Sequence, residues 1–329
     1  MAAPSISPVS WRSTPAPSRA KRSSSDRPLP PLDIVTVPGT GPEDVVLLDD
    51  GSALTGLDDG RILRVDPGGS VTLVADTGGR PLGIERYGDD LLVCDARRGL
   101  MLVSPGTGAV GELVTKVDDV PLLFCNNAAV GADGTVWFTD SSRRFGIDHW
   151  RADIMEHSGT GRLLRRDPDG AVHTVLDGLQ FANGVAIAPD GSWVVVAQTG
   201  AYRLDRVWLT GDRAGLREDF VTDLPAFPDN IATGSDGLVW VSMASPRNTL
   251  LDHLASHPRL RSLAWSLPQH LQPQPQMTTW VTAYDAMGGL VHDLQGRDER
   301  MHMVTGVREH GGVVWVGSLQ GECVASFRL

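Results

Sequence analysis

A chain of 329 residues, 41% hydrophobic and 21% charged, has the composition of a folded protein, and no apolar run reaches the length of a membrane helix. Its formal net charge of −11 excludes a phosphate backbone as a natural partner, which would need clustered Lys and Arg, and favours a cation as guest. Three scattered cysteines, Cys94, Cys125 and Cys323, make neither a disulfide framework nor a zinc spacing.

In chain order, residues 1 to about 30 are rich in Ser, Pro, Ala and Arg and hold no apolar h-region, which predicts a disordered tail rather than a secretory signal. From residue 31 to 329 short Val/Leu/Ile/Trp runs alternate with Asp-Gly or Gly-Gly turns, the texture of successive antiparallel hairpins. One phrase recurs six times: a short loop, an apolar strand, a turn and a second apolar strand. The copies are PEDVVLLDDGSALTG, PLGIERYGDDLLVCD, CNNAAVGADGTVWFTD, ANGVAIAPDGSWVVVAQ, PDNIATGSDGLVWVSM and VTGVREHGGVVWVGS. Their second residues, Glu43, Leu82, Asn126, Asn183, Asp229 and Thr305, are separated by 39, 44, 57, 46 and 76 positions. A four-stranded blade needs roughly 40 to 50 residues, so the pattern predicts an all-β fold, a six-bladed β-propeller.

The two long separations require insertions. One, at about 141–159, contains RRFGIDHWRADIMEH; the other, at about 246–275, contains NTLLDHLASHPRLRSLAWSL with helical spacing of its leucines. Both are expected as short helical caps on one face. The C-terminal VASFRL and the early LDIVTV are expected to share one blade and close the ring.

Each blade's innermost strand starts beside the central channel, so the six markers should face one another. Four of them, Glu43, Asn126, Asn183 and Asp229, bear a carboxylate or amide oxygen. Two carboxylates in a narrow channel repel unless a cation or a shared proton relieves them. Hard oxygen donors without sulfur or imidazole select Ca²⁺, with Mg²⁺ or Mn²⁺ as alternatives. The competing reading is that these residues merely cap turns, a common use of Asn and Asp.

At these residues the chain resembles the gluconolactonase, senescence-marker-protein and luciferin-regenerating-enzyme-like propellers, and more closely their strictosidine synthase-like branch. The stretches FTDSSRRF, GRLLRRDP, GLQFANGVAIAPDG, LPAFPDNIATGSDGLVWVS and VREHGGVVWVGSL carry the likeness. The resemblance implies that Glu43, Asn183 and Asp229 bind the metal, that Asn126 completes the site, and that the chain is a metal-dependent hydrolase of a lactone or related ester. The metal would polarise the carbonyl, Asp229 would activate water, and Asn126 and Asn183 would orient the substrate. Plant strictosidine synthases carry a glutamate where this chain has Thr305, which counts against their condensation reaction here.

Arg143, Arg144, His149, Trp150, Tyr202 and His302, on or near the insertions, are candidates to contact a small-molecule substrate, each weighed against an ordinary surface or packing role. Trp137, Trp193, Trp240 and Trp315 recur at matching hairpin positions and are expected between blades. Gly106, Gly108 and Gly111 form a GxGxxG string with no helix after it, so a turn is expected there. No GxSxG elbow, HExxH pair or P-loop occurs. Two alternatives stay open: a non-enzymatic binding propeller with a structural ion, and a strictosidine synthase-like biosynthetic enzyme. A cytoplasmic location without membrane or nucleic-acid partners is the expectation; oligomeric state is not legible.

Overall fold

The computed structural model describes residues 4–329. Six sheets, each of at least four antiparallel strands, follow one another around a central channel, the first strand of each lying innermost. Blade 1 covers residues 45–76, blade 2 residues 81–114, blade 3 residues 125–179, blade 4 residues 182–221 and blade 5 residues 226–296. Blade 6 takes three strands from residues 304–328 and its outermost from Asp33–Thr36. There Asp33 pairs with Ser326 and Thr36 with Cys323, so the two ends of the propeller close the ring as expected. Closure removes the open edges that an array of blades would otherwise present.

The blades hold to one another through apolar seams. Trp137 packs with Val185 and Val194 of blade 4, Trp193 with Ile231 and Val239 of blade 5, Trp240 with Val304 and Val314 of blade 6, and Trp315 against Val45 and Leu63 of blade 1. The recurring tryptophans are therefore seam residues. The GxGxxG string lies in the hairpin between strands Gly99–Ser104 and Ala109–Val114, with Gly108 in the left-handed region at φ 72°.

The 141–159 insertion carries helix α1, Trp150–Glu156; the 246–275 insertion carries α2, Thr249–Leu254, and α3, Pro258–Ser266. They pack together as a cap over one end of the channel. Residues 4–30, read from composition as a disordered tail, run along this cap and then down blade 5. Val9 N donates to Glu156 O at 2.9 Å, Trp11 N to Ala255 O at 3.1 Å, and Arg19 pairs with Asp293 at 3.1 Å. Arg27–Pro28 adds a short parallel strand to the outer edge of blade 5. Polar composition did not reveal these contacts because they use main-chain groups, one ion pair and one large aromatic. The Trp11 ring stacks on His157 with centroids 4.1 Å apart. Among the described residues no helix is long and apolar enough to cross a membrane.

Candidate metal centre and substrate cavity

The inner strands depart from regular pairing where the markers lie. The ladder skips between Pro81 and Ile84, Cys125 and Ala128, Ala182 and Val185, and Pro228 and Ile231, with a further shift between Val304 and Gly306. A bulge of this kind breaks strict alternation and re-aims side chains. In blades 2 to 5 two consecutive residues, the marker and the one after it, are thereby freed from the ladder at the channel. In blade 6 Thr305 alone is skipped and Gly306 pairs with Gly317, and in blade 1 Glu43 and Asp44 precede the first strand, Val45–Leu47.

The six markers all line one cavity of about 940 Å³, mouth included. The following residues form a second layer that reads Asp44, Gly83, Asn127, Gly184, Asn230 and Gly306, side chains alternating with glycines. The glycines are required by close approach: a Cβ on Gly83 would lie 2.7 Å from Asn127 Cα, on Gly184 2.2 Å from Ile231 N, and on Gly306 2.6 Å from Glu43 O. The larger residues tie blades together. Asp44 accepts from Ile84 N at 3.2 Å, Asn127 Oδ1 from Val185 N at 3.0 Å, and Asn230 Nδ2 donates to both Glu43 carboxylate oxygens at 3.0 and 3.1 Å. Arg308 pairs with Glu85 at 2.8 Å and Asp44 at 3.5 Å.

Hydroxyls from neighbouring strands set the orientation of the two amides. Ser141 Oγ donates to Ala182 O at 2.7 Å, so it accepts from Asn126 Nδ2 at 2.9 Å. Thr199 Oγ1 donates to Pro228 O at 2.7 Å and likewise accepts from Asn183 Nδ2 at 3.0 Å. Each hydroxyl has one proton, already committed, so each amide must turn its NH₂ outward. Asn126 Oδ1 and Asn183 Oδ1 are left buried without a partner. Buried oxygens of this kind normally have one. Thr305 is otherwise engaged: its Oγ1 donates to Glu43 O at 2.9 Å.

The two carboxylates complete the set. Burial, then the neighbouring Asp229 and Asp44, push the Glu43 carboxyl well above the ordinary range. Asp229 is pushed up to about 7 by burial, against hydrogen bonds from Asn183 and the Asn230 backbone. Glu43, Asn126 and Asn183 are buried, whereas Asp229 keeps part of its surface open to the cavity. The donor set fits a hard divalent cation: two carboxylates whose ionisation a cation would restore, and two unpartnered amide oxygens. It contains no imidazole or thiolate, and among the described residues no cluster of three or more His, Cys, Asp or Glu forms an alternative metal centre.

Above this floor the walls are mostly apolar, with Leu82, Phe124, Phe181, Phe227 and Met303 from the blades and Ile147, Trp150, Ile154, Met155 and Leu251 from the cap, while Ser245, Asn248, Gln272 and Gln274 add polar groups from the second insertion and its approach. Of the six side chains expected to contact substrate, only Trp150 lines the cavity. Arg143 is exposed and paired with Asp177 at 2.6 Å, and Arg144 is paired with Glu156 at 2.6 Å. His149 precedes α1 without lining the cavity. Tyr202 lies buried behind Phe227, with the Arg247 guanidinium 4.2 Å from its ring centroid. His302 follows the blade 5 to 6 connection outside the cavity. Residues on an insertion have no period to orient them, and α1 turns Arg151, adjacent to Trp150, inward. Ser141 and Thr199 were missed as well, since their role follows from cross-strand register.

The family model for strictosidine synthase matches residues 126–212, and that for the strictosidine synthase-like N-terminal region matches residues 30–65. Strictosidine synthase-like protein 13 of Arabidopsis thaliana is 31% identical over 75% of this chain, which spans 61% of that relative's length. The adipocyte plasma membrane-associated protein of Rattus norvegicus is 31% identical over 88% of this chain and 83% of its own. Among solved structures, a gluconolactonase from Xanthomonas campestris superposes with a TM-score of 0.67 at 17% identity, covering 94% of this chain and 99% of its own. The calcium-binding protein regucalcin from Agrobacterium tumefaciens superposes at 0.63 and 15% identity, over 89% and 90%. At such identities these two likenesses speak to fold alone.

Proposed function

The chain belongs to the strictosidine synthase-like family of six-bladed propellers, and from that premise we propose that it is a metal-dependent hydrolase of lactones or related esters, with Ca²⁺ the favoured ion. The observation that carries this reading is the pair of unpartnered amide oxygens, Asn126 Oδ1 and Asn183 Oδ1, beside Glu43 and Asp229 at the floor of an apolar cavity. The names gluconolactonase and regucalcin among proteins of the same fold support it.

Glu43, Asn126, Asn183 and Asp229 would hold the ion. When bound, it would supply Lewis acidity to the substrate carbonyl and to the oxyanion formed on attack. Asp229, the one member of the set with surface open to the cavity, would take the proton from the attacking water. Asn183, aimed by Thr199, and Asn126, aimed by Ser141, keep their oxygens fixed towards the substrate end. The phenylalanine, leucine and methionine walls exclude bulk water and strengthen every charge interaction at the floor. The opening above Asp229 favours this reading over a structural ion, which would be enclosed on all sides. Thr305, whose hydroxyl is bound to the Glu43 carbonyl, offers no acid or base for a condensation.

The test is hydrolysis of a panel of aldonolactones, aliphatic lactones and aryl esters with Ca²⁺, Mg²⁺, Mn²⁺ or chelator. Turnover should require a divalent ion and fall by at least about 10²-fold in Asp229→Asn, the scale of general-base loss. Tight Ca²⁺ binding with no turnover across the panel would select the structural-ion reading instead.

A further inference from the structure

Among the described residues three charged side chains line the cavity, and they stand apart: Glu43 and Asp229 on the floor, Arg151 on the cap helix α1 that roofs it. A divalent ion held as proposed would balance the two carboxylates, which leaves Arg151 as the uncompensated charge. Its neighbours are not in that position, since Arg143, Arg144 and Arg247 each have a carboxylate partner. Among the described residues Arg151 forms no ion pair with an Asp or Glu; its Nη2 donates to Pro273 O at 2.8 Å. A guanidinium carries five N–H donors in a planar fork, so four remain for a ligand. That hydrogen bond ties the helix to the segment of the second insertion that also lines the cavity, and so holds the guanidinium over the opening. A half-buried cation against apolar walls is costly without an anion, and a planar carboxylate matches the fork in two parallel hydrogen bonds.

We propose that Arg151 is a specificity-determining anion site, and that the substrate is an apolar ester or lactone which also bears a carboxylate. The carboxylate docks under α1 while the scissile carbonyl reaches the floor, with the apolar frame between them against Phe124, Phe181 and Trp150. The proposal rests on the hydrolase reading for the position of the carbonyl.

The experiment compares 4-acetoxybenzoate with its neutral isostere 4-acetoxybenzamide in the Ca²⁺-loaded full-length protein. Wild type should favour the carboxylate by at least tenfold in kcat/KM, mainly through KM. Arg151→Gln should lower that ratio by tenfold or more, and Arg151→Lys should restore part of it. Equal use of the two esters by wild type, or a ratio unmoved by Arg151→Gln, overturns the proposal. In parallel, calorimetry with the non-hydrolysable 4-acetamidobenzoate and 4-acetamidobenzamide reads the anion site without turnover. If neither ester is cleaved, the hydrolase reading fails, yet tenfold tighter binding of the carboxylate by wild type, lost in Arg151→Gln, still sustains the anion site. Equal binding of the two amides overturns it.

Discussion

Gly184 has no space for a methyl group. Its Cβ would sit 2.2 Å from Ile231 N and 2.6 Å from the Asn230 carbonyl carbon, main-chain atoms of the next blade that cannot swing aside. Gly184→Ala should therefore destabilise the protein by about 3 kcal/mol, the upper end for overpacking, as read from the urea midpoint at constant slope. Gly68→Ala, with no atom within 4 Å of the added carbon, should shift stability by less than about 0.5 kcal/mol. The second-layer glycines stand one residue after the markers in three of the six hairpin copies, so their pattern was on display in the sequence. It carries meaning only once bulges are known to bring both residues to the channel. The proposed metal donors could be nominated from the sequence because Glu43, Asn126, Asn183 and Asp229 repeat in register. If they bind as proposed, Ca²⁺ at a hundredfold excess over its Kd should stabilise the fold by about 2.7 kcal/mol in thermal denaturation. Glu43→Gln should abolish most of that gain.

The cap is held by elements that share no period with the blades. α1 ends at His157, left-handed at φ 59°, whose ring lies between the helix and Trp11 of the N-terminal segment. Burial, then the nearby Arg261 charge, hold this imidazole down to about 3. An unfolded histidine titrates near 6.5, so below that pH the unfolded chain gains a proton that the folded cap refuses. His157 should thus contribute a loss of stability as pH falls from about 6.5 towards 3, at up to about 1.4 kcal/mol per unit. His157→Asn, which tolerates the left-handed backbone, should lose that slope in chemical denaturation followed from pH 7 to 4. Asp153, raised to about 6 chiefly by burial, acts with the opposite sign and is common to both proteins. Trp11→Ala should speed hydrogen exchange in α1 and α3 while leaving the blade strands protected. That two insertions form a cap could be read from their lengths and leucine spacing. The inward turn of Arg151 could not, since adjacent helical positions point about 100° apart and nothing local distinguishes Trp150 from either neighbour.

Six copies of one hairpin phrase become six blades because each copy forms its own local pairs and then meets only its two neighbours, an arrangement that sequence repetition reports directly. Closure is different in kind, since it joins Asp33–Thr36 to a strand some three hundred residues later. It was anticipated from the need to cover two open edges. Deleting residues 1–37 would expose the Cys323–Arg328 strand and remove Val37 from the blade 6 to 1 seam. That variant should unfold at lower temperature and self-associate, measurable by light scattering during the melt. The direction of the closing pair also has a mechanical consequence. Asp33 faces Ser326 and the strands run antiparallel, so the chain leaves both of them from the same end of the pair. Tension applied through handles at residues 32 and 329 is borne by one rung at a time, as in a zipper, instead of being shared in shear along the strand. The seam that makes the ring continuous is therefore where a low pulling force would open it first.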